Sequence, residues 1–547
     1  MPDETYDAVI VGAGNKALIV AMYLAKYGGM SVALFEKRHE AGGGWCSDEG
    51  PAPGFIGDYH ATAVGPFWHV ATDMDFTEWS ELGVKYNEVE FGAGAIFKEN
   101  DKPLMIYNKK ADPTMEKSAA SIAQFSKRDA ETWVRLQPLF GKIFWKAMLE
   151  WVHTPPPPPG QLDALEKLAF DPELKKYGVD PSWLVKSPLD IAREIFESDE
   201  IISTAMRYNE TAVGNPPDIP GTGIWGFLYA MSLMRPGHAG VTGGTHNWAH
   251  AATKIVLKYG GKIFTKHEVD KVVIENGVAT GIQLADGSRV GARKLVLSTL
   301  DPYNLVFKLI GKENVSWSIQ RKIAALERRI TCITWYTWAL HEHPRYKAGD
   351  LNPDINRAMS VMLINKDPET LCREMAKRRL GIMPHELQIN ITNHSLVDHA
   401  RVPEGKSAIL TEQFVIPADL MNERQWATYR KEHAEEVLKC IGDHSHNMNW
   451  DNVLGYIACT PYDHCKLANM APTGNWAVID NIPNQLGRNR PIPEFSSYRT
   501  PIKNLYATGS GWHPLAMSAS WSGYCCYKIL ADDFNLAKPW KKEGRPW

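Results

Sequence analysis

Residues 6–45, YDAVIVGAGNKALIVAMYLAKYGGMSVALFEKRHEAGGGW, constrain the fold more than any other stretch. Residues 8–11 are a short apolar run suited to a buried parallel strand, and Gly12, Gly14 and Ala17 follow it in a G-x-G-x-x-G/A turn. A helix is predicted over 17–27. A second apolar strand, 31–35, ends at Glu36, near the spacing at which an acid meets a ribose.

Each part has a physical reason. Gly12 permits the tight turn, Gly14 has no Cβ to block a pyrophosphate, and small Ala17 lets helix and strand pack closely. Free N–H groups at the helix start, with the positive end of its dipole, suit phosphates. Glu36 would accept from ribose hydroxyls and disfavours a 2′-phosphate, so the unit suits FAD or NAD better than NADP. The segment 91–97, FGAGAIF, also contains a G-x-G, but lacks a following helix and a spaced acid. It reads as an ordinary turn.

At 547 residues the chain predicts two domains or more, and 44% hydrophobic residues make it globular. A formal net charge of −3 argues against a nucleic-acid partner. Cys46, Cys332, Cys372, Cys440, Cys459, Cys465, Cys525 and Cys526 include no C-x-x-C pair, so no metal site is expected and reduced, buried thiols are. The acidic start leads directly into the first strand, and no apolar run is long enough to span a membrane. A cytoplasmic location is the expectation, with peripheral membrane contact left open. The 19 tryptophans read either as core packing or as indole walls around an apolar ligand.

Further along, Gly42, Gly43 and Gly44 make a flexible elbow that could bring amides to a cofactor or form a surface loop. Residues 53–69, with His60, Trp68 and His69 among Gly and Pro, read as loop and short strand. Residues 112–235 are helical in pattern, with Ile122, Phe125, Trp133, Leu136 and Phe140 at helical spacing and a stiff spacer at Pro155–Pro159. From Gly240, α/β character returns: a glycine turn, a helix over 246–259, and strands at 262–264, 268–275, 279–284 and 294–298. Strand-like pieces at 331–340, 358–364, 386–391 and 407–415 suggest another sheet, with a charged amphipathic helix at 425–440. The closing segment reads as a strand at 505–508, a glycine turn, and a helix to 534.

Together these segments resemble the FAD-dependent family of phytoene desaturases, carotenoid isomerases and their relatives, including the pyridine nucleotide-disulphide oxidoreductase domain 2 proteins. The resemblance rests on the fingerprint, Glu36-Lys37-Arg38 with Gly42-Gly43, SIAQFSKRDA at 121–130, residues 240–298, and NLYATGSGWHP with Gly523 beyond it. It implies an α/β fold with a Rossmann-like FAD-binding domain of glutathione-reductase type, built from residues 1–110, 236–305 and 497–547. A discontinuous substrate or cap domain, 111–235 and 306–496, would include the helical subregion. Gly12, Gly14, Lys16 and Ala17 would line the FAD pyrophosphate, with Glu36 at the adenosine ribose and Val269 meeting the adenine. Lys37, Gly43, Gly44 and Trp45 would also lie against the cofactor. Gly509 and Ser510 would reach the pyrophosphate and ribityl chain, and Met517 and Ser518 the pyrimidine edge of the flavin. With no second fingerprint, electrons would leave to a quinone, oxygen or another acceptor.

The chain departs from the family at Asn15-Lys16-Ala17, which replaces His-Asn-Gly, and at residues 515–521, where bulk replaces a glycine-rich run. The second change suits a substrate smaller than a long carotenoid. The implied chemistry is hydride transfer from an apolar, unsaturated isoprenoid-type substrate to flavin N5, as dehydrogenation (desaturation or oxidative hydroxylation) or isomerisation. Trp45, Trp68, Trp512 and Trp521 would stabilise a developing allylic cation, and His60 or His513, then Asp58 and Tyr59, would serve as base. His513 could instead only shape its turn, and His60 could be a satisfied loop histidine. The alternatives are an amine oxidase-like flavoenzyme and a non-catalytic prenyl- or lipid-binding partner subunit. Homo- or hetero-oligomers fit equally.

Overall fold

The computed structural model describes residues 4–62, 65, 67–236, 239–470, 472–542, 544–545 and 547, so that residues 63, 64 and 66 of the loop expected over 53–69 lie outside the described residues. Two seven-stranded sheets organise it. At the centre of the first lies Thr5–Val11, parallel to Val32–Phe35 on one side and to Arg289–Ser298 on the other. Its core, Ala8, Val9 and Ile10, is fully buried, as expected of a parallel strand covered on both faces. The helix Asn15–Lys26 starts directly from the glycine turn and is buried along nearly its whole length, because the helices His246–Lys258 and Trp521–Asp533 both pack on it. Gly523 permits the second contact: a Cβ there would lie 2.9 Å from the Lys16 carbonyl oxygen.

Arg289–Ser298 joins distant parts of the chain. Its first residues pair antiparallel with Val278–Leu284, which carries Val269–Glu275 on its other edge. Its last three pair parallel with Leu505–Ala507, bringing the closing glycine turn beside the first one.

In the second sheet the strand order is Val453–Cys459, Ile333–Leu340, Ser407–Phe414, Ile389–Thr392, Ser360–Ile364, Phe91–Phe97 and Pro103–Tyr107. The helix Glu423–Asp443 covers one face, where Tyr336, Trp338 and Ile409 pack with Val437, Leu438 and Ile441. The opposite face presents Ile333, Trp335, Leu410 and Phe414 as a separate apolar cluster against Trp476. This alternation leaves one face for the site.

The segment 91–97 is not a turn. All seven residues are buried in a strand parallel to Ser360–Ile364 and antiparallel to Pro103–Tyr107. Its glycines serve close packing: a Cβ on Gly92 would lie 2.2 Å from the Met234 carbonyl oxygen, and one on Gly94 2.7 Å from Ile355. Residues 91–107, grouped with the first unit from sequence, therefore hydrogen-bond into the second sheet.

The helical region holds Lys127–Pro138, Phe144–His153, Asp199–Val213 and Gly223–Met234 among its helices. All twelve residues of Gly223–Met234 are buried, which fits a sequence apolar on every side. Among the described residues no helix is long and apolar enough to cross a membrane.

Candidate active site

A cavity of about 770 Å³ runs from the glycine turn of the first sheet to the open face of the second. Gly12, at φ +88°, holds the turn; its N–H donates to the Phe35 carbonyl at 2.8 Å, and a Cβ would meet Thr299 Oγ1 at 2.7 Å. Gly14 caps the Asn15–Lys26 helix, and a Cβ there would meet nothing within 4 Å among the described residues. The first helical turn carries no acidic side chain. An open cradle at an unopposed helix N-terminus fits a dinucleotide pyrophosphate. The glycine elbow packs against it, with the Gly42 N–H donating to the Ala13 carbonyl at 2.8 Å and Gly43 backing onto Gly14.

Glu36 lines the cavity and braces the turn, accepting from the Ala13 N–H through Oε2 and the Arg38 N–H through Oε1, both at 2.9 Å. A carboxylate has further lone pairs for ribose hydroxyls. Lys37 and Val269 line the same end, and Gly509, Ser510, Met517 and Ser518 enter from the closing segment. Contacts from the first unit help fix that segment: Lys16 Nζ donates to the Met517 carbonyl, and Trp45 Nε1 donates to the Ser518 carbonyl at 2.7 Å. Burial brings the Lys16 ammonium down to about 7. Of the residues expected to hold the cofactor, Gly12, Gly14, Lys16, Ala17, Glu36, Lys37, Gly43, Gly44, Val269, Gly509, Ser510, Met517 and Ser518 meet in one cavity. Trp45 stands behind it as a support.

Residues 10–74 match the NAD(P)-binding Rossmann-like domain. One subunit of the limonene dehydrogenase of Castellaniella defragrans is 24% identical over 98% of this chain and 96% of its own length. The rat pyridine nucleotide-disulfide oxidoreductase domain-containing protein 2 is 25% identical, covering 93% of this chain and 90% of itself. Phytoene desaturase (lycopene-forming) of Pseudescherichia vulneris is 26% identical over 59% of this chain and 60% of itself. Among solved structures, an oxidoreductase from Methanosarcina mazei aligns with a TM-score of 0.60 at 17% identity, over 96% of this chain and 99% of that one. Putrescine oxidase bound to putrescine aligns at 0.58 and 13%, over 97% and 99%. This chain is an oxidoreductase related to these proteins. The resemblance read from its motifs holds over nearly the full length.

The oxidoreductase brings fewer of the expected catalytic residues to the cavity. His60 does line it, with its ring 5.3 Å from both Trp335 and His464. Burial, then the neighbouring His464, pushes the His60 imidazole down to about 3, and burial takes His464 to about 4, so both are neutral at physiological pH. Trp68 is in the lining too. His513 is not: its Nε2 is 2.9 Å from the Trp151 carbonyl oxygen, and its ring packs edge-on to Trp151 inside the helical region. Asp58 is also withdrawn. It accepts from Arg401 at 2.7 Å, Ser47 at 2.6 Å and the Thr245 N–H at 3.0 Å, which uses its lone pairs in a structural latch. Burial works to raise its carboxyl, but Arg401, His394 and the hydrogen bonds from Ser47 and Thr245 together outweigh that and hold it below the usual range.

Tyr59 lies outside the lining, with its hydroxyl against Gly50 and burial lifting it to about 12. Trp512 and Trp521 are buried behind the site. The Trp521 indole stacks on Phe67 at 5.3 Å and donates to the Phe67 carbonyl at 3.2 Å. Bulk in residues 515–521 thus serves packing at Trp521, while Ala516, Met517 and Ser518 face the cavity.

What the sequence missed is the far wall. Ile333 and Trp335, Asn390 and Thr392, and Glu412 come from three neighbouring strands, joined by Trp476. A readable signal existed for one of them: Glu412 is a lone carboxylate inside SAILTEQF, a strand buried at every residue.

Proposed function

We propose that this oxidoreductase binds FAD and takes hydride from an apolar, unsaturated isoprenoid-type substrate of terpene size, by dehydrogenation or by the related hydroxylating or isomerising reactions. The observation carrying this reading is the single cavity that joins the glycine cradle and Glu36 to an apolar wall of Trp335, Ile333, Trp476 and Trp68. Bound FAD supplies a hydride acceptor at N5. Gly14 and the helix start would receive its pyrophosphate, Glu36 and Val269 its adenosine end, and Met517 and Ser518 the flavin ring. The chain's own residues align the substrate and exclude water.

Size supports a small substrate. About 770 Å³ lies in the usual range of roughly 300–1,000 Å³ for one ligand, and here it must serve cofactor and substrate together. The relative named as a limonene dehydrogenase supports a terpene over a forty-carbon carotenoid, and its being named as one subunit supports a partner chain or another external acceptor such as a quinone or oxygen. The putrescine oxidase likeness keeps amine oxidation as the competing reading.

Anaerobic mixing of the flavin-loaded protein with terpenes and with primary amines decides between them. Bleaching of the flavin by a terpene alone is expected. Bleaching by amines alone, or no flavin spectrum at saturating FAD, overturns the proposal.

A further inference from the structure

We propose that Glu412 is the proton acceptor of this site, taking a proton from the substrate carbon next to the one that gives up hydride. The inference rests on the oxidoreductase reading above. Glu412 lies on the strand Ser407–Phe414, directly opposite Trp335 on one neighbouring strand and Asn390 on the other. All three line the cavity, so a carboxylate, an indole and a carboxamide form one row across the open face of the second sheet.

The carboxylate is aimed but not neutralised. Asn390 Nδ2 donates to Glu412 Oε2 at 3.1 Å, and Ser360 Oγ holds the other end of that carboxamide by donating to Asn390 Oδ1 at 3.2 Å. Arg207, on the helix Asp199–Val213, is the charged neighbour. Its guanidinium is committed elsewhere, to the Glu210 carboxylate at 2.6 Å and to the backbone carbonyls of Gln388 and Glu412. Arg378 closes the same buried cluster by donating to Glu210. On the other side, beyond Trp335, His60 and His464 are neutral, so among the described residues no cation pairs with the Glu412 side chain. Burial raises this carboxyl to about 7, against the pull of Asn390 and Arg207. Such a group holds and releases a proton near neutrality. The other acids in the lining, Glu36, Glu268, Asp270 and Asp301, belong to the segments of the first sheet.

Desaturation balances with these parts. One substrate C–H leaves as hydride, carrying two electrons to the flavin. The adjacent C–H gives its proton to a Glu412 carboxylate oxygen, its electron pair becomes the new double bond, and the carboxylic acid then returns the proton to solvent. Trp335, beside Glu412, presents an indole to the electron-poor carbon between these events. Among the expected bases, His60 also reaches the cavity, but its imidazole titrates far below neutrality and is a weaker acceptor.

The test uses the full-length, flavin-loaded protein, with Glu412→Gln, Glu412→Asp and Asn390→Ala, and a terpene that bleaches the wild-type flavin. Glu412→Gln is expected to keep the flavin spectrum and slow anaerobic bleaching by about a hundredfold or more, with Glu412→Asp partly restoring it. The wild-type rate should rise with pH through about 7, and that rise should vanish in Glu412→Gln and shift in Asn390→Ala. A second readout needs no turnover: infrared titration of the flavin-free protein should show a protonated carboxyl band lost through the same pH range and missing from Glu412→Gln. Equal bleaching rates and pH profiles in wild type and Glu412→Gln overturn this proposal alone. If no terpene bleaches the wild-type flavin, the functional reading itself fails and this proposal with it. If Glu412→Gln instead raises KM for an amine that bleaches the wild type, Glu412 is an ammonium-binding group and the proposal is overturned.

Discussion

Replacing Glu412 by glutamine should stabilise the fold at alkaline pH and change it little at acid pH. The side chain is 9% exposed, and its carboxyl titrates at about 7 rather than 4.5. The folded state therefore binds this proton more tightly than the unfolded chain. Stability contributed by the group is present below the unfolded value, falls as pH rises toward 7, and stays low above it. A tenfold difference in proton affinity is about 1.4 kcal/mol, so ionised Glu412 costs the fold about 3 kcal/mol. The uncharged carboxamide of the variant carries no such cost. Urea unfolding of the flavin-free wild type and Glu412→Gln at about pH 5 and about pH 8 reads the effect, because other titrating groups cancel in the difference between the two proteins. The advantage of the variant should grow by about 2–3 kcal/mol between these pH values. A difference that stays constant would show that Glu412 does not titrate in this range, and would remove the support that burial gives to its role in proton transfer.

Gly14→Val should leave the melting temperature of the flavin-free protein nearly unchanged, since its side chain meets open space, while fluorescence titration should show FAD affinity lower by about a hundredfold or more. Asp58→Asn should cost about 3 kcal/mol in chemical denaturation, at the lower end for a broken buried pair because Arg401 keeps Asp398 at 2.9 Å. His513→Ala should cost about 2–4 kcal/mol through the lost ring and its bond to Trp151, with the flavin bleaching rate per folded molecule unchanged. A rate loss without a stability loss would return His513 to the mechanism.

The glycine-turn end of the cavity was legible because its information is contiguous. Strand, turn, helix and acid follow one another between Tyr6 and Glu36, and each residue acts through its local backbone: Gly12 by its positive φ, Gly14 by its missing Cβ, Glu36 by holding the Ala13 N–H. The same local logic failed at residues 91–97. There the glycines answer a demand from elsewhere, the approach of the Met234 and Arg235 carbonyls, which a turn-based reading of G-x-G cannot see. His513 failed for a related reason. Its place beside the closing glycine turn was correct in sequence, but the cis peptide to Pro514 accompanies a ring directed at Trp151 in the helical region.

The far wall of the cavity was not legible because it depends on strand register. Trp335, Asn390 and Glu412 are far apart along the chain and become neighbours only through the pairings Trp335 with Glu412 and Asn390 with Glu412. A slip of one residue in any of these strands would turn its side chain from the cavity to the face covered by Glu423–Asp443, so the constraint resides in the whole sheet. Leu410 and Phe414, two residues to either side of Glu412, belong to the apolar cluster of the cavity face, whereas Ile409 faces the covering helix. A carboxylate between two such side chains gains nothing from packing and loses hydration, and the fold keeps it without a paired cation among the described residues. A cost of that kind on a face that opens into a cavity is what a proton-transfer group requires, since a salt bridge would relieve the cost and remove the proton affinity together.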